Sequence, residues 1–388
     1  MPPPANHQPA RLQPASYQPA SYQPASQPHV SHPPAKKGRG AVTNASGRFE
    51  RESREAFDDG WNGAADPDPA LEKLHTFVTI ETARTIISRN TSPDISFDQS
   101  INPYRGCEHG CIYCYARPNH AYVGLSPGLD FESRLFAKTN AAELLERELS
   151  APNYKPSTIV LGGVTDIYQP IERDHNITRE LLEVLARHNH PVGLVTKSQL
   201  VLRDLDILAP MAALGLARVA VSLTSLDSTL SRRMEPRAAA PHRRIEVIRD
   251  LTRAGVPVVA MTAPVIPALN DHELEALLEA AAGAGAREAG YVVLRLPLEI
   301  ADLFEQWLTA HYPDRATHVM SVMRQMRGGK NYDARWRARQ TGTGPFAALI
   351  AARFRRACKK LDLNRMRLPL DVSQFRPPPK TGQQLELW

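Results

Sequence analysis

The sequence predicts an α/β fold. It should contain an open parallel sheet built from six β/α units, preceded by a disordered N-terminal tail and followed by a basic helical extension. From about residue 76, short β-branched runs alternate with helical stretches, which is the arrangement of a parallel sheet. Six such units are too few for an eightfold barrel. After residue 300 the pattern becomes helical and basic.

The N-terminal segment is of low complexity. The unit Gln-Pro-Ala-Ser-Tyr recurs between Gln13 and Ser26, with proline in every copy. Its prolines lack backbone N–H donors, and the segment buries too little apolar surface to offset its ordering entropy, so we expect disorder. A polar, glycine-rich linker follows it. Residues 1–70 are therefore predicted to be tail and linker, and the composition leaves open whether the linker wraps the domain in extended form.

The six units follow one another within a predicted barrel domain at residues 71–300. Strands are expected at residues 100–104, 158–162, 192–196, 218–223, 256–263 and 291–296. Helices are expected between them at residues 141–149, 178–187, 205–214, 243–253 and 272–282. In the second helix, Leu181, Leu182 and Leu185 have the spacing of one apolar helical face.

The extension is predicted at residues 301–370, with a proline-rich tail at residues 371–388. A helix at residues 346–361 should bury one apolar side, with its basic residues mostly on the other. That apolar side consists of Phe346, Leu349, Ile350, Phe354 and Ala357. Cys358 lies in the same helix and is expected to be buried as a small apolar residue.

The charge is unevenly distributed. The whole chain has a formal charge of +6, but from Arg315 to the end there are sixteen Lys or Arg and only four acidic residues. A basic block of this kind predicts a polyanionic partner, namely nucleic acid. The alternative is a solvated helical surface that binds nothing.

The remaining composition points to the cytoplasm. Three of the four cysteines are clustered, which favours a reducing compartment over a disulfide scaffold. No signal peptide is recognised at the N-terminus, and no apolar run is long enough to cross a membrane. We therefore expect a cytoplasmic protein without membrane contact.

The most informative motif is Cys107-X3-Cys111-X2-Cys114. A structural zinc site needs four protein ligands. A 4Fe–4S cluster usually takes four cysteines, and with only three it leaves one iron open to a small molecule. One alternative is a nucleic-acid-binding protein whose structural metal loop is completed by His109 or Cys358. Another is a cluster that senses redox state or passes electrons.

The spacing of these cysteines, with Tyr113 just before the last one, resembles the radical S-adenosylmethionine (SAM) superfamily. From about Gly38 onward the chain is similar to its spore-photoproduct-lyase-like group. The resemblance implies a partial (β/α)6 barrel and a 4Fe–4S cluster on Cys107, Cys111 and Cys114. It also implies that SAM binds the open iron with its adenine against Tyr113, and that an electron donor reduces the cluster.

The same resemblance assigns SAM contacts at the ends of four strands. Gly162 and Gly163 would hold the amino group, and Lys197 would pair with the carboxylate. Ser222 would face the ribose, and the backbone after Ala263 would run beside the adenine. For Lys197, a solvated side chain at a strand end is the alternative.

One departure from the lyases concerns their chemistry. They carry a cysteine that returns a hydrogen atom, and Gly163 occupies that position here. Direct repair of the spore photoproduct is therefore not expected. A different nucleic-acid lesion in DNA repair, a nucleic-acid modification and a protein substrate all remain open.

Further polar side chains could face the substrate or tune the cluster, and each could equally hold its loop together. They are Arg105, Arg117, Asp166, Tyr168, Gln169, Glu172, Glu235 and Arg237.

The last five residues, 384–388, read Gln-Leu-Glu-Leu-Trp. They resemble the peptide with which bacterial proteins bind the sliding clamp, except that Trp388 replaces the usual Phe. This predicts a clamp partner and work near DNA. The alternative is that the leucines and the tryptophan fold back onto the chain's own surface.

Overall fold

A computed structural model describes residues 37–50, 74–366 and 369–378. The N-terminal repeats and the proposed clamp-binding peptide lie outside these residues. The strands are β1 (Phe77–Ile80), β2 (Ile87–Arg89), β3 (Gln99–Ile101), β4 (Tyr104–Arg105), β5 (Arg134–Ala137), β6 (Ile159–Leu161), β7 (Val192–Thr196), β8 (Ala217–Ser222), β9 (Val258–Val265) and β10 (Glu288–Val293).

The α-helices are α1 (Asp130–Ser133), α2 (Ala141–Leu149), α3 (Glu172–His175), α4 (Ile177–Arg187), α5 (Leu205–Ala213), α6 (Ser228–Met234), α7 (Pro241–Arg253), α8 (Leu274–Gly283), α9 (Ile300–His311), α10 (Pro313–Gln325), α11 (Ala338–Thr341) and α12 (Gly344–Lys360). Each of these helices, within the described residues, is too short or too polar to span a lipid bilayer.

Six parallel strands form the main sheet, in the order β10-β9-β8-β7-β6-β3, and β2 is added antiparallel at the β3 edge. One row of paired residues crosses five strands at Ile101, Leu161, Leu194, Val219 and Val258. All five are buried, as expected for a parallel sheet covered on both faces. The predicted α/β class and partial barrel are confirmed.

The predicted helices of the barrel are also present. Leu181, Leu182 and Leu185 are buried on α4, as their spacing predicted. A second, three-stranded sheet of order β1-β5-β4 was not predicted. Its strand β4 leads directly into the cysteine loop, so this small sheet supports one side of the site.

The extension consists of α9 to α12. Trp307 of α9 is fully buried, and its Nε1 donates to the carbonyl of Arg233 at 3.1 Å. Helix α12 packs on α8 and β10, with the rings of Phe354 and Tyr291 4.7 Å apart. The boundaries assigned at residues 70, 300 and 370 stay predictions.

The expected apolar side of α12 is only partly correct. Phe346 and Leu349 are 41% and 55% exposed, because the contact with the barrel is made further round the helix. The buried residues of α12 are Ala347, Ile350, Ala357 and Cys358, whose mostly small side chains allow a close approach. Cys358 is buried, as expected.

Candidate functional site

The cysteine loop, residues 107–114, is held by one buried arginine. The guanidinium of Arg117 donates to the carbonyls of Cys111 at 2.9 Å and Gly110 at 3.1 Å, and it pairs with Glu132 at 2.5 Å. Arg117 was a candidate for tuning cluster sulfurs directly. Its N–H groups are instead engaged with backbone carbonyls, so it fixes the shape of the loop.

A strap made of residues 38–47 crosses this loop. Glu132 accepts the backbone N–H groups of Gly40 at 2.9 Å and Ala41 at 2.8 Å. A Cβ on Gly40 would lie 1.9 Å from the carbonyl oxygen of Gly110, so this close approach requires glycine. The linker whose placement the sequence left open therefore packs against the cysteine loop.

The three thiols are free and line one cavity. Burial raises the pKa of Cys111 to about 12. Burial, with the nearby charges of Asp166 and the other two thiols, raises the pKa of Cys107 well above its ordinary value. Three thiolates gathered in a buried place therefore need positive charge from a bound metal centre.

Three cysteine thiols form the donor set, which is one ligand fewer than a structural zinc site needs. In the described residues, no group of three His, Cys, Asp or Glu side chains is arranged to hold a single metal ion. Zinc requires such close convergence because Zn–S bonds are about 2.3 Å long, whereas the ligands of a four-iron cluster lie further apart. Of the two proposed fourth zinc ligands, Cys358 lies in α12 beside Asn364, at 3.7 Å, and does not line the cavity. His109 lines the cavity, and its Nδ1 lies 3.2 Å from Asp166 Oδ2.

The cavity has a volume of about 280 Å³ and opens at the carboxyl ends of β6 to β10. All nine residues predicted to hold the cluster or SAM line it, namely Cys107, Cys111, Tyr113, Cys114, Gly162, Gly163, Lys197, Ser222 and Ala263. They come from separate loops, and they meet because the carboxyl ends of parallel strands share one rim.

Sequence reasoning missed part of the cavity wall. It did not single out Ile95, Phe97, Arg295 or Gln340, which also line the cavity. Arg295 could have been found, because it lies near the end of the last predicted strand, at residues 291–296. The other three come from loops and from α11, for which the sequence gives no local signal.

Asp166 ties the ends of β6 and β7 together. Its carboxylate accepts the Thr196 hydroxyl at 2.8 Å, the Lys197 backbone N–H at 2.7 Å and the Tyr168 backbone N–H at 2.9 Å. Burial alone would raise the pKa of Asp166, but the contacts with His109 and Lys197 hold it well below its ordinary value. The carboxylate of Asp166 therefore fixes the conformation of the loop that carries Gly162 and Gly163.

Lys197 is a half-buried cation. Its Nζ lies 6.0 Å from the centre of the Tyr113 ring. Burial alone would lower the pKa of Lys197, but the charges of Cys111, Glu235 and Asp166 raise it above its ordinary value. The side chain is therefore an ammonium, which is the form that pairs with a carboxylate.

Glu235 anchors Tyr113. Its carboxylate accepts the Tyr113 hydroxyl and, at 2.7 Å, the Thr224 hydroxyl, and it forms a fully buried ion pair with Arg244. Although burial opposes ionisation, Arg244 and Lys197 keep the pKa of Glu235 below its ordinary value. Glu235 was a candidate substrate contact, and it instead fixes the orientation of the aromatic ring.

Other candidates also hold the loops together. The Tyr168 hydroxyl donates to Asp204 at 3.0 Å, and Gln169 accepts the Glu108 backbone N–H at 2.8 Å. Glu172 is fully buried. These polar residues after β6 therefore have structural roles within the loop.

The two remaining basic candidates form ion pairs. Arg105 pairs with Glu81 at 2.7 Å, and Arg237 pairs with Glu108 at 3.1 Å.

Gly163 is not required by packing. The nearest atoms to a methyl group added at this position would be side-chain carbons of Phe97 and Ser100, both 3.9 Å away. An added Cβ would therefore meet no backbone atom within 4 Å. The missing thiol is therefore a chemical difference from the lyases and not a steric necessity.

Sequence comparison supports the interpretation of the barrel. The model of the radical SAM superfamily matches residues 101–281. An uncharacterised protein of Mycobacterium tuberculosis is 35% identical over 233 residues, which are 60% of this chain and 68% of the relative. An uncharacterised protein of Methanocaldococcus jannaschii is 29% identical over 173 residues, which are 45% of this chain and 62% of that protein.

Known structures share the fold. Spore photoproduct lyase complexed with dinucleoside spore photoproduct superposes with a TM-score of 0.51 and 16% identity, covering 73% of this chain and 79% of the lyase. A variant of that lyase with bound AdoMet and the same dinucleoside gives a TM-score of 0.51 at 15% identity. Identities this low indicate a common fold. Together with the family match and the relative covered over two thirds of its length, they show that the chain belongs to the radical SAM superfamily and is an enzyme of the radical SAM type.

Proposed function

We propose that this enzyme holds a 4Fe–4S cluster on Cys107, Cys111 and Cys114, binds SAM in the cavity they line, and acts on nucleic acid. When bound and reduced, the cluster would supply one electron for cleavage of the C5′–S bond of SAM to methionine and a 5′-deoxyadenosyl radical, and that radical would take a hydrogen atom from the substrate. The observation that carries this proposal is the convergence of all nine predicted residues on one cavity.

The chain's own residues orient SAM. The ammonium of Lys197 pairs with the carboxylate of SAM, and Ser222 faces its ribose. The ring of Tyr113, fixed by Glu235, offers a flat surface to the adenine. Positive φ at Gly162 (86°) brings the backbone close to the ligand. The apolar walls exclude water that would quench a radical.

Two features favour nucleic acid as the substrate. The basic C-terminal block suits a polyanion. The same fold in spore photoproduct lyase accommodates a dinucleoside. Because Gly163 supplies no thiol, the reaction differs from that of the lyase in how hydrogen is returned. A separate electron donor reduces the cluster, and the clamp-binding peptide would bring the enzyme to DNA.

Anaerobic purification tests the proposal. The protein should be brown and should cleave SAM under a strong reductant. Replacing Cys107, Cys111 or Cys114 with Ala should abolish both properties, while Cys358→Ala keeps both because that thiol is buried in α12. A colourless protein with stoichiometric zinc, or a full cluster in all three variants, would refute the assignment.

A further inference from the structure

Arg295 follows β10 and lines the same cavity as the cysteines. Within the described part of the chain its Nε is buried and has no hydrogen-bond partner. Its Nη2 reaches only the hydroxyl of Tyr332, at 3.3 Å. The guanidinium lies 5.0 Å from the centre of the Tyr115 ring. Arg295 as a whole is half-buried. A buried guanidinium N–H without a partner is unfavourable, because it has lost its water.

No carboxylate among the described residues of the cavity is available to Arg295. The only carboxylate in that lining is Asp166, which is bound to the β7 end. Asp94 is engaged by Arg339, at 2.5 Å. Asp333 is engaged by Arg335, at 2.7 Å. Asp94 is close enough for the charge of Arg295 to act on it, and Asp333 acts likewise on the neighbouring Arg327, but both carboxylates are already paired with other arginines.

A second arginine adds to the positive charge. Arg327 is 1% exposed and donates to the carbonyls of Leu294, at 2.8 Å, and Ala338. Burial and the charge of Arg295 lower the pKa of Arg327. No carboxylate pairs with it among the residues that the structure describes. This end of the cavity therefore has a net positive charge that an anionic ligand would neutralise.

The anion does not come from SAM. The only anionic group of SAM is its carboxylate, for which Lys197 is the proposed partner. Arg295 is thus left for the second molecule in the cavity. A guanidinium binds phosphate or carboxylate oxygens through two parallel N–H groups.

Its neighbours favour a nucleotide. Tyr115 is 44% exposed, and its hydroxyl is fixed by donation to the carbonyl of Gly163, so its ring is a rigid surface for a base. Gln340 also lines the cavity and carries an amide that can hydrogen-bond a base edge. An aromatic ring and an amide beside an arginine suit a nucleotide better than an acidic peptide.

We propose that Arg295 binds the phosphodiester next to the reacting nucleotide, whose base lies on Tyr115. This rests on the proposed function in that the substrate is nucleic acid. Arg295 acts as a positioning residue, because it holds the backbone of the substrate while the neighbouring nucleotide enters the cavity.

Two dinucleotides that differ in one group provide the test. Thymidine dinucleotide with a phosphodiester and its uncharged methylphosphonate analogue are titrated into the SAM-loaded holoenzyme by calorimetry. The parent should prefer the phosphodiester by about tenfold or more. Arg295→Gln should lose that preference, and Arg295→Lys should recover part of it, since lysine keeps the charge but not the paired donors.

The controls separate charge from position. Arg249→Gln removes the same charge from an exposed position on α7, outside the basic extension, and should keep the preference. SAM affinity should be unchanged in Arg295→Gln, and thermal unfolding should show that both variants fold. If Arg295→Gln fails to fold, Arg295→Lys alone must reduce the preference.

Three outcomes would overturn the proposal. One is an equal affinity of the parent for both dinucleotides. Another is a preference that survives in the Arg295 variants. The third is loss of SAM affinity in Arg295→Gln with the preference intact, which would assign Arg295 to SAM. An Asp-containing tripeptide bound only by the parent, with no dinucleotide preference, would reassign the site to a peptide. A phosphodiester preference in a protein without cluster or SAM cleavage would refute the proposed function but leave this site.

Discussion

A single buried carboxylate, Glu235, connects the stability of the site to its ligand-binding surface. It accepts two hydroxyl groups, including that of Tyr113, and neutralises the fully buried Arg244. Buried ion pairs contribute little net stability, but removal of one partner leaves an uncompensated charge. The strand-end residues were predictable one by one from their spacing, whereas the role of Glu235 depends on partners from three different elements.

Glu235→Ala should therefore destabilise the protein by about 3 to 5 kcal/mol. It should also weaken SAM binding, because Tyr113 loses its anchor. Urea unfolding and calorimetry measure the two effects. Glu246→Ala is the matched control, since its pair with Arg243 is largely exposed and should contribute about 1 kcal/mol or less. A similar small loss in both variants would contradict this account.

Lys197 and Ser222 should each contribute to SAM binding. Loss of a charge-assisted contact costs about 1.5 to 3 kcal/mol, so Lys197→Ala should weaken SAM affinity roughly tenfold to a hundredfold. Ser222→Ala should give a smaller decrease. Ser198→Ala is the control, because that hydroxyl instead accepts the Leu200 N–H, at 3.2 Å. Unchanged SAM affinity in both cavity variants would place the ligand elsewhere.

Among the elements, local pattern predicted the β/α units but not their supports. Each unit carries its own signal, a β-branched run followed by an apolar helical face. The strands of the small sheet are short and partly exposed, so they leave no clear alternation; β1 is exposed or half-exposed throughout. The strap was unpredictable for another reason, since its position depends on contact with a distant loop.

Gly40→Ala tests the strap. The added methyl group would lie 1.9 Å from the Gly110 carbonyl oxygen, so either the strap or the cysteine loop must move. We expect a stability loss of about 1 to 3 kcal/mol. We also expect less iron bound per chain after anaerobic reconstitution. Gly283→Ala is the control, because a methyl group there meets no atom within 4 Å. Equal iron content and stability in both variants would rule out support of the loop by the strap.

Over the whole molecule, part of the charge asymmetry is used internally. Of the basic residues from Arg315 onward, Arg353 pairs with Glu275 at 2.5 Å and Lys360 with Glu279 at 3.0 Å. Both pairs join α12 to α8. A count of charges along the sequence could not distinguish basic residues that form structural ion pairs from basic residues that form a binding surface, since each contributes the same charge.

The far side of the cavity was unpredictable for a similar reason. Three elements meet there: the loop that bears Ile95 and Phe97, the end of β10, and helix α11. An ion pair between Asp94 and Arg339 holds that loop to α11. The side lined by the cysteines and the strand-end residues follows from strand order and family spacing. The opposite side depends on long-range contacts.

The remaining positive surface on α12 should bind nucleic acid. Arg355, Arg356 and Lys359 are exposed and form no ion pair among the described residues. Reversing all three charges to Glu should weaken binding to duplex DNA and to RNA. Each phosphate that the variant no longer neutralises should also make the log–log salt dependence on duplex DNA shallower by about 0.9. Fluorescence anisotropy at several salt concentrations measures both quantities.

The control must have the same net charge on another helix. Arg243, Arg249 and Arg253 are exposed on α7, so their reversal to Glu changes the charge equally. If binding depends on position, the α7 variant should keep most of the affinity and the parent's salt slope, because those arginines lie outside the basic extension. Equal losses in the two variants would mean that only net charge matters. No loss in the α12 variant would mean that this helix is a solvated surface, while leaving the radical chemistry and the phosphodiester site at Arg295 to their own tests.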